Sequence, residues 1–113
     1  MPLITLRTNQ VVSDKTDLCH QLSATAAELL GKSEKYVMTL VQDQQAMSFA
    51  GNDAPTALVE VKSLGLPEDV TTSMSEKLCR KVTELVNIPG ERIYIEFSNP
   101  PRHLWGWNSG TFG

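Results

Sequence analysis

The chain repeats one pattern of apolar residues at an offset of 56 residues, and this repeat restricts the folds open to it. Leu18 and Leu22 in the first half correspond to Met74 and Leu78 in the second half. In each half a short apolar, β-branched segment precedes this helical spacing and another follows it. Any two amphipathic helices would align this way, but they would not carry flanking strands in the same register. The pattern therefore predicts an α+β fold in which a β-α-β unit occurs twice, with a four-stranded mixed sheet and both helices on one face.

Capping and turn residues set the bounds of the predicted helices. Ser13 and Asp14 are typical of a helix start, and Gly31 is typical of its end. Pro67 is predicted to begin the second helix, and Asn87 to end it. The predicted strands cover residues 3–6, 36–41, 57–61 and 92–97, with a further short extended piece at 47–49.

Length and composition narrow the class of protein. The 113 residues carry a net charge of -3 without long runs of like charge, which predicts one domain over residues 1–113 and neither a nucleic acid nor a membrane as partner. The N-terminus does not resemble a signal peptide, so we expect a cytoplasmic protein, with secretion by a non-classical route left open. Cys19 and Cys79 are expected to be reduced thiols, and His20 and His103 lack clustered ligand partners. We therefore expect no metal and no cofactor.

The predicted strands contain apolar residues on both sides of their alternation. Helices on one face of a sheet would leave some of these side chains in water, so self-association through the open face or the strand edges is expected. The residues concerned are Leu3, Leu6, Leu40, Val59, Val61, Ile93 and Ile95.

The last 16 residues differ in kind from the repeat. Residues 98–103 are rich in turn formers, and residues 104–113 combine three aromatic residues with three glycines. This composition disfavours a helix and predicts a short hairpin, packed on a neighbouring subunit, whose aromatic rings line a pocket.

Pro2 is the unusual candidate for chemistry. Removal of Met1 would expose a secondary amine on a rigid ring at the start of a buried strand. Taken alone, however, Pro2 is better explained as a residue that permits removal of methionine or that begins an edge strand.

The chain resembles the macrophage migration inhibitory factor family of the tautomerase superfamily. The resemblance extends from end to end and is carried by Met1-Pro2-Leu3-Ile4, Thr8-Asn9, Gly31-Lys32, Tyr36, Met47-Ser48-Phe49, Ser63-Leu64-Gly65, Arg92-Ile93-Tyr94-Ile95 and the tail from Gly106 to Phe112. It implies a homotrimer whose three sheets form an inner barrel, with an active site at each subunit boundary. It also implies that Pro2 is the general base of a keto–enol tautomerase acting on a small aromatic 2-keto acid such as phenylpyruvate, with dopachrome as a further substrate.

The resemblance also assigns substrate-binding residues by position. One subunit would contribute Lys32, Tyr36, Ser63, Leu64, Trp105, Trp107 and Phe112, and its neighbour would contribute Tyr94 and Glu96. Each residue has a plainer interpretation, because a lysine after a helix-ending glycine is often solvated and aromatic residues are often part of a core. Only their joint match favours a site.

Three departures from the family pattern bear on function. Glu96 stands where animal members carry asparagine, so its carboxylate would either pair with Lys32 or repel an anionic substrate. Trp105 replaces a small aliphatic residue and should narrow the mouth of the pocket. Residues 56–59 lack the CxxC pair of animal members, so thiol–disulfide oxidoreductase activity is not expected.

Two other functions remain open at this stage. A signalling ligand would follow from the cytokine members of the family, although no receptor contact is recognisable in the sequence. A hydratase or dehalogenase would use the N-terminal proline as an acid, and Glu96 and Arg102 are compatible with that chemistry.

Overall fold

The computed structural model describes all residues, 1–113, and has the predicted α+β architecture. In chain order the main elements are β1 (Pro2–Thr8), α1 (Lys15–Leu30), β2 (Met38–Gln42), β3 (Ala57–Ser63), α2 (Thr71–Val86) and β4 (Ile93–Ser98). The tail adds a hairpin of β5 (Gly106–Trp107) and β6 (Gly110–Thr111). The sheet order is β2-β1-β3-β4. β1 pairs with β2 in parallel, β3 with β4 in parallel, and β1 with β3 antiparallel, so the two β-α-β units meet at the centre of a mixed sheet.

The caps of α1 lie where the sequence predicts them. The Asp14 carboxylate accepts a hydrogen bond from the backbone N–H of Asp17 at 2.9 Å. At the other end Gly31 adopts a left-handed conformation, with φ of 63°. The backbone N–H of Lys32 then donates to the carbonyl of Ala27 at 3.1 Å, as in a Schellman motif. The direction in which Lys32 leaves the helix is therefore fixed by the backbone.

The start of α2 differs from the prediction. Pro67 is extended and precedes a single 3-10 turn over Glu68–Val70, so the α-helix itself begins at Thr71. The Thr71 hydroxyl donates to the carbonyl of Glu68 at 3.1 Å, which links the turn to the helix. Asn87 ends the helix in a left-handed conformation, as predicted.

The second predicted strand also begins later than expected. Glu34–Tyr36 form a 3-10 turn, in which the N–H of Tyr36 donates to the carbonyl of Ser33 at 3.1 Å, and β2 starts only at Met38. Local turn hydrogen bonds therefore outweigh the strand tendency of the aromatic and β-branched residues here. The piece predicted at 47–49 is reduced to one isolated bridge between Phe49 and Asn52.

The core lies between the helices and the covered face of the sheet. Residues that correspond through the repeat share it, since Leu22 and Leu78 are both buried, as are Ala26 and Val82. Burial of a large aliphatic side chain is worth about 1.5–3 kcal/mol, so these positions account for much of the stability of each unit. The core cluster comprises Ile4, Leu6, Leu18, Leu22, Ala26, Ala57, Val59, Val61, Leu78, Val82, Ile88 and Ile93.

The other face of the sheet is not covered by any element of the chain. Met38 and Tyr94, on the two edge strands, are 66% and 67% exposed, and Leu40 is 44% exposed. Charged residues share this face, where Arg7 forms an ion pair with Glu60. Of the apolar strand residues named in the sequence analysis, only Leu3 and Leu40 lie on this open face. The side chains of the others point towards the helices. No helix of the chain is both long enough and apolar enough to cross a membrane.

Candidate active site

Pro2 is buried at the start of β1, beside a cavity of about 270 Å³. Three segments line this cavity, namely residues 1–3, residues 35–38 and residues 105–107. The first begins β1, the second is the turn that leads into β2, and the third opens the tail hairpin. The fold therefore brings the N-terminus, the middle of the first unit and the C-terminal tail to one place.

The tail hairpin forms an aromatic wall of this cavity. Its turn residues Asn108 and Ser109 both have positive φ, as a two-residue type I′ turn requires. The ring of Trp107 stacks on Phe112 with a centroid distance of 6.2 Å and meets the ring of Tyr36 edge-on at 6.2 Å. The N–H of Phe112 donates to the carbonyl of Trp105 at 3.2 Å, which closes the tail on itself. The predicted hairpin is confirmed, and within this chain it lies against Tyr36.

The amine at the N-terminus has a pKa below its ordinary value. Partial burial is the largest cause, and the positive charges of Lys32 and Arg102 lower the pKa further. In the full chain this amine belongs to Met1. Removal of Met1 would take this amine away and free the ring nitrogen of Pro2 as the new N-terminal amine, on a ring that is already buried.

One cation lines the cavity and two more act on the N-terminal amine beside it, all three without acidic partners. Lys35 lines the cavity, with its ammonium nitrogen 5.0 Å from the centre of the Tyr36 ring. Lys32 and Arg102 are close enough to act on the N-terminal amine. None of the three takes part in an ion pair of the chain, although the chain as a whole carries a net charge of -3. The surroundings of the N-terminal amine are therefore positively charged in a protein whose net charge is -3.

Ser63 lies next to Pro2 on the neighbouring strand, although it does not line the cavity. It is the residue paired with Pro2 across β1 and β3, and it is 1% exposed. Its hydroxyl is the only buried side-chain polar atom without a hydrogen-bond partner. Leu64 follows as a buried residue at the end of β3. A buried hydroxyl without a partner is unfavourable unless something else satisfies it.

Tyr94 and Glu96 are not part of this arrangement within one chain. Both lie on the open face of β4, where Tyr94 packs edge-on against Phe49 at 4.9 Å and Glu96 is paired with Glu60 in the strand register. Their predicted role in the site thus requires a second copy of the chain, and it stays a prediction.

Sequence reasoning assigned no role to Lys35 and named Arg102 only for the alternative hydratase or dehalogenase chemistry. Lys35 precedes the matched Tyr36, and Arg102 lies in the 3-10 turn before Trp105. Neither belongs to a matched motif, so their only signal was a position next to one.

Comparison with known proteins agrees with this geometry. The family model for macrophage migration inhibitory factor matches residues 1–113. A macrophage migration inhibitory factor homolog of Trichuris trichiura is 36% identical over 115 residues, covering 99% of this chain and 100% of the relative. The macrophage migration inhibitory factor of Xenopus tropicalis is 32% identical over 114 residues, covering 99% of both chains.

Solved structures of this family show the same fold. The crystal structure of a macrophage migration inhibitory factor homologue from Prochlorococcus marinus superposes with a TM-score of 0.91 at 47% identity, covering 98% of this chain and 99% of the other. The factor from Trichinella spiralis superposes with a TM-score of 0.92 at 31% identity, covering 97% and 99%.

Proposed function

We propose that this chain, which belongs to the macrophage migration inhibitory factor family of the tautomerase superfamily, is a keto–enol tautomerase of the phenylpyruvate type. The observation that carries the proposal is the Met1 amine of lowered pKa beside Pro2, at a cavity bounded by aromatic rings and by the unpaired Lys35. The Pro2 nitrogen would be the base once Met1 has been removed.

The reaction needs a base that is unprotonated near neutral pH. The Pro2 nitrogen takes a proton from the carbon next to the keto group, and the C–H electron pair forms the C=C bond. The carbonyl oxygen receives the displaced electron pair and then the proton, so the reaction conserves atoms and charge. A general base of matched pKa contributes typically about 10²–10⁴-fold. Burial, Lys32 and Arg102 lower the pKa of the Met1 amine, and the same surroundings would act on the Pro2 amine in the required direction.

The surrounding residues suit an aromatic 2-keto acid. Lys32 would bind the carboxylate and stabilise the negative charge that develops on the enolate oxygen. The rings of Tyr36, Trp107 and Phe112 would hold a planar ring, and Trp105 would limit the width of the mouth.

A trimer would complete the site. The edge strands β2 and β4 are unpaired on their outer sides, and Met38, Leu40 and Tyr94 expose apolar surface beside them. Association through these edges would cover this surface and bring Tyr94 and Glu96 of one subunit towards Pro2 of the next.

The decisive experiment alters the N-terminal nitrogen alone. Protein shown by mass spectrometry to lack Met1 should catalyse enolisation of phenylpyruvate. A variant with one alanine inserted before Pro2 places that nitrogen in an amide, which has no basic lone pair, and activity should fall by about 10²-fold or more. Pro2→Gly keeps an amine without the ring and should retain a small fraction of the activity. Equal melting temperatures would serve as the folding control, and full activity in protein that retains Met1 would contradict the proposal.

Signalling is the alternative suggested by the names of the relatives. The Pro2→Gly variant separates the two functions, because receptor binding through the outer surface would survive a change that removes most of the catalysis. Hydratase or dehalogenase activity is tested by supplying a 3-haloacrylate in the same assay, and halide release from it would favour that chemistry.

A further inference from the structure

Arg92 is bonded to one loop of the chain and to no acidic side chain. Its Nε donates to the carbonyl of Pro55 at 2.8 Å. Its Nη2 shares its hydrogens among the carbonyls of Ala54 at 3.1 Å, Phe49 at 3.2 Å and Asn52 at 3.4 Å. Arg92 takes part in none of the ion pairs of the chain. An arginine whose donors bind main-chain carbonyls in this way fixes the shape of the loop that carries them.

The turn in this loop has an unfavourable backbone conformation. Ala50 has a φ of 56° and Gly51 a φ of 76°, so both central residues have the positive φ of a type I′ turn. Phe49 and Asn52 close the turn, because the N–H of each donates to the carbonyl of the other, at 3.0 and 3.2 Å. Strand pairing does not extend beyond this bridge, and a left-handed alanine costs about 1–2 kcal/mol. The bonds from Arg92 to the two closing carbonyls offset this cost.

Arg92 also contacts the ring of Phe49, which in turn contacts Tyr94. The guanidinium carbon lies 5.2 Å from the centre of the Phe49 ring. That ring meets Tyr94 edge-on, with a centroid distance of 4.9 Å and an interplanar angle of 72°. Tyr94 is 67% exposed, and Phe49 is its only aromatic neighbour within the chain. The direction of the Tyr94 ring therefore depends on Arg92 through Phe49.

We propose that Arg92 is a positioning residue for the active site of the neighbouring subunit: through Phe49 it holds the ring of Tyr94 in the direction in which that ring enters the neighbour's cavity. The proposal rests on the tautomerase function and the shared site proposed above. Arg92 does not line the cavity of its own chain. Its loss should therefore impair catalysis by the Pro2 of another subunit and not by the Pro2 of its own.

Fluorine NMR follows the Tyr94 ring without relying on catalysis. The chain has 2 tyrosines, Tyr36 and Tyr94, so protein labelled with 3-fluorotyrosine gives one resonance for each, which Tyr94→Phe assigns. Arg92→Gln should shift or broaden the Tyr94 resonance, with a smaller change for Tyr36. Phe49→Leu keeps the loop bonds of Arg92 and should do the same, so the outcome does not depend on the folding of Arg92→Gln alone. An unchanged Tyr94 resonance in both variants would overturn the proposal.

Kinetics measure what the position of the ring contributes. Arg92→Gln, assayed below its melting temperature, should lower kcat/KM for phenylpyruvate by about 3- to 10-fold, the value of one misplaced aromatic contact. Arg92→Lys keeps a cation that reaches fewer carbonyls, and it should recover part of the loss.

Mixed trimers test whether Arg92 acts across the subunit boundary. Arg92→Gln is unfolded in urea together with the variant that carries an alanine before Pro2, and the mixture is refolded. About one boundary in four then combines a free Pro2 amine with a Tyr94 held by an intact Arg92, a combination that neither parent contains. The activity of the mixture should exceed the mean of its two parents by about twofold or more. If Arg92 acts only on its own chain, the mixture should equal that mean.

The matched control mixes Arg92→Gln with Tyr94→Ala. Every boundary in this mixture lacks a well-placed Tyr94 ring, so its activity should equal the mean of its parents. A gain in both mixtures, or in neither, would overturn the action of Arg92 across the boundary. Absence of turnover by the unsubstituted protein, with a Tyr94 resonance that still depends on Arg92, would instead reject the tautomerase function and retain the hold of Arg92 on Tyr94.

Discussion

Ser63 is paired with Pro2 across the central antiparallel strands, and its buried hydroxyl has no hydrogen-bond partner in the chain. Every other buried side-chain polar atom is satisfied. Thr8, for example, lies on the same strand as Pro2 and donates to the carbonyl of Thr56 at 2.8 Å. The unsatisfied hydroxyl is therefore confined to the end of the sheet at which the N-terminal amine is placed.

This contrast predicts opposite effects of two substitutions. Ser63→Ala removes an unsatisfied polar atom, so the free energy of unfolding should be unchanged or slightly higher. Thr8→Val removes a hydroxyl that is buried and bonded, and it should lower the free energy of unfolding by about 1–3 kcal/mol. Urea denaturation of both variants measures this difference.

The two substitutions should affect activity in the reverse order, with the larger loss for Ser63→Ala. If the Ser63 hydroxyl bonds to the Pro2 amine or to bound substrate, Ser63→Ala should lower kcat/KM for phenylpyruvate by about tenfold, the value of one hydrogen bond to a charged group. Thr8→Val should keep its activity below its melting temperature. A stability loss for Ser63→Ala with unchanged kinetics would contradict a role for this hydroxyl in the site.

The pH dependence of the rate should depend on Lys32. The amine is active as the free base, so kcat/KM should rise with pH through its pKa and then reach a plateau. Lys32 lowers the pKa of the Met1 amine. The same charge would act on the Pro2 amine, so Lys32→Ala should shift the rising limb to higher pH. The loss of carboxylate binding should also raise KM by about tenfold.

Lys15→Ala is the control for the pH profile. Lys15 begins α1 and Lys32 follows its end, so the two charges lie about 24 Å apart along the axis at 1.5 Å per residue. Both variants lose one positive charge, but only Lys32→Ala should move the profile. A shift of the same size in both would mean that net charge, rather than proximity, sets the pKa.

Glu96 tests whether a second subunit completes the site. Its carboxylate is exposed on the open face of β4. If an associated subunit brings it to the cavity, Glu96→Asn should lower KM for phenylpyruvate, because a like charge near the substrate has been removed. The effect should be smaller for the methyl ester of phenylpyruvate. An equal change for acid and ester would indicate packing, and no change would place Glu96 outside the site.

The assembly itself should depend on the exposed apolar edge. Sedimentation equilibrium at micromolar concentration should give about three times the chain mass of 12.5 kDa. Leu40→Glu places a charge on the open face of the edge strand β2 and should dissociate the assembly with loss of activity. Val11→Glu alters a residue that is 73% exposed in the loop before α1, and it should leave the mass unchanged. If the unsubstituted chain sediments as a monomer, an active site shared between subunits is ruled out.

The sequence by itself determined the architecture, because hydrophobic periodicity and caps act locally. The repeat placed α1 and α2 at their observed offset, and Asp14, Gly31 and Asn87 end or begin helices as their backbone preferences require. The prediction was wrong at Tyr36 and at Pro67, where a 3-10 turn of three residues replaces the start of the predicted strand or helix. Periodicity cannot resolve so short a turn, since it spans less than one repeat of either pattern.

The tertiary structure alone decided which residues share the cavity. Lys35 and Trp105 are 70 positions apart yet line one cavity, and the charges of Lys32 and Arg102, also 70 positions apart, act on one amine. The tertiary structure also decided which face of the sheet each apolar strand residue occupies. Leu6 lies on the covered face in the core, whereas Leu40 lies on the open face and is exposed. Electrostatic and packing relationships of this kind depend on distance in space, which sequence separation does not determine.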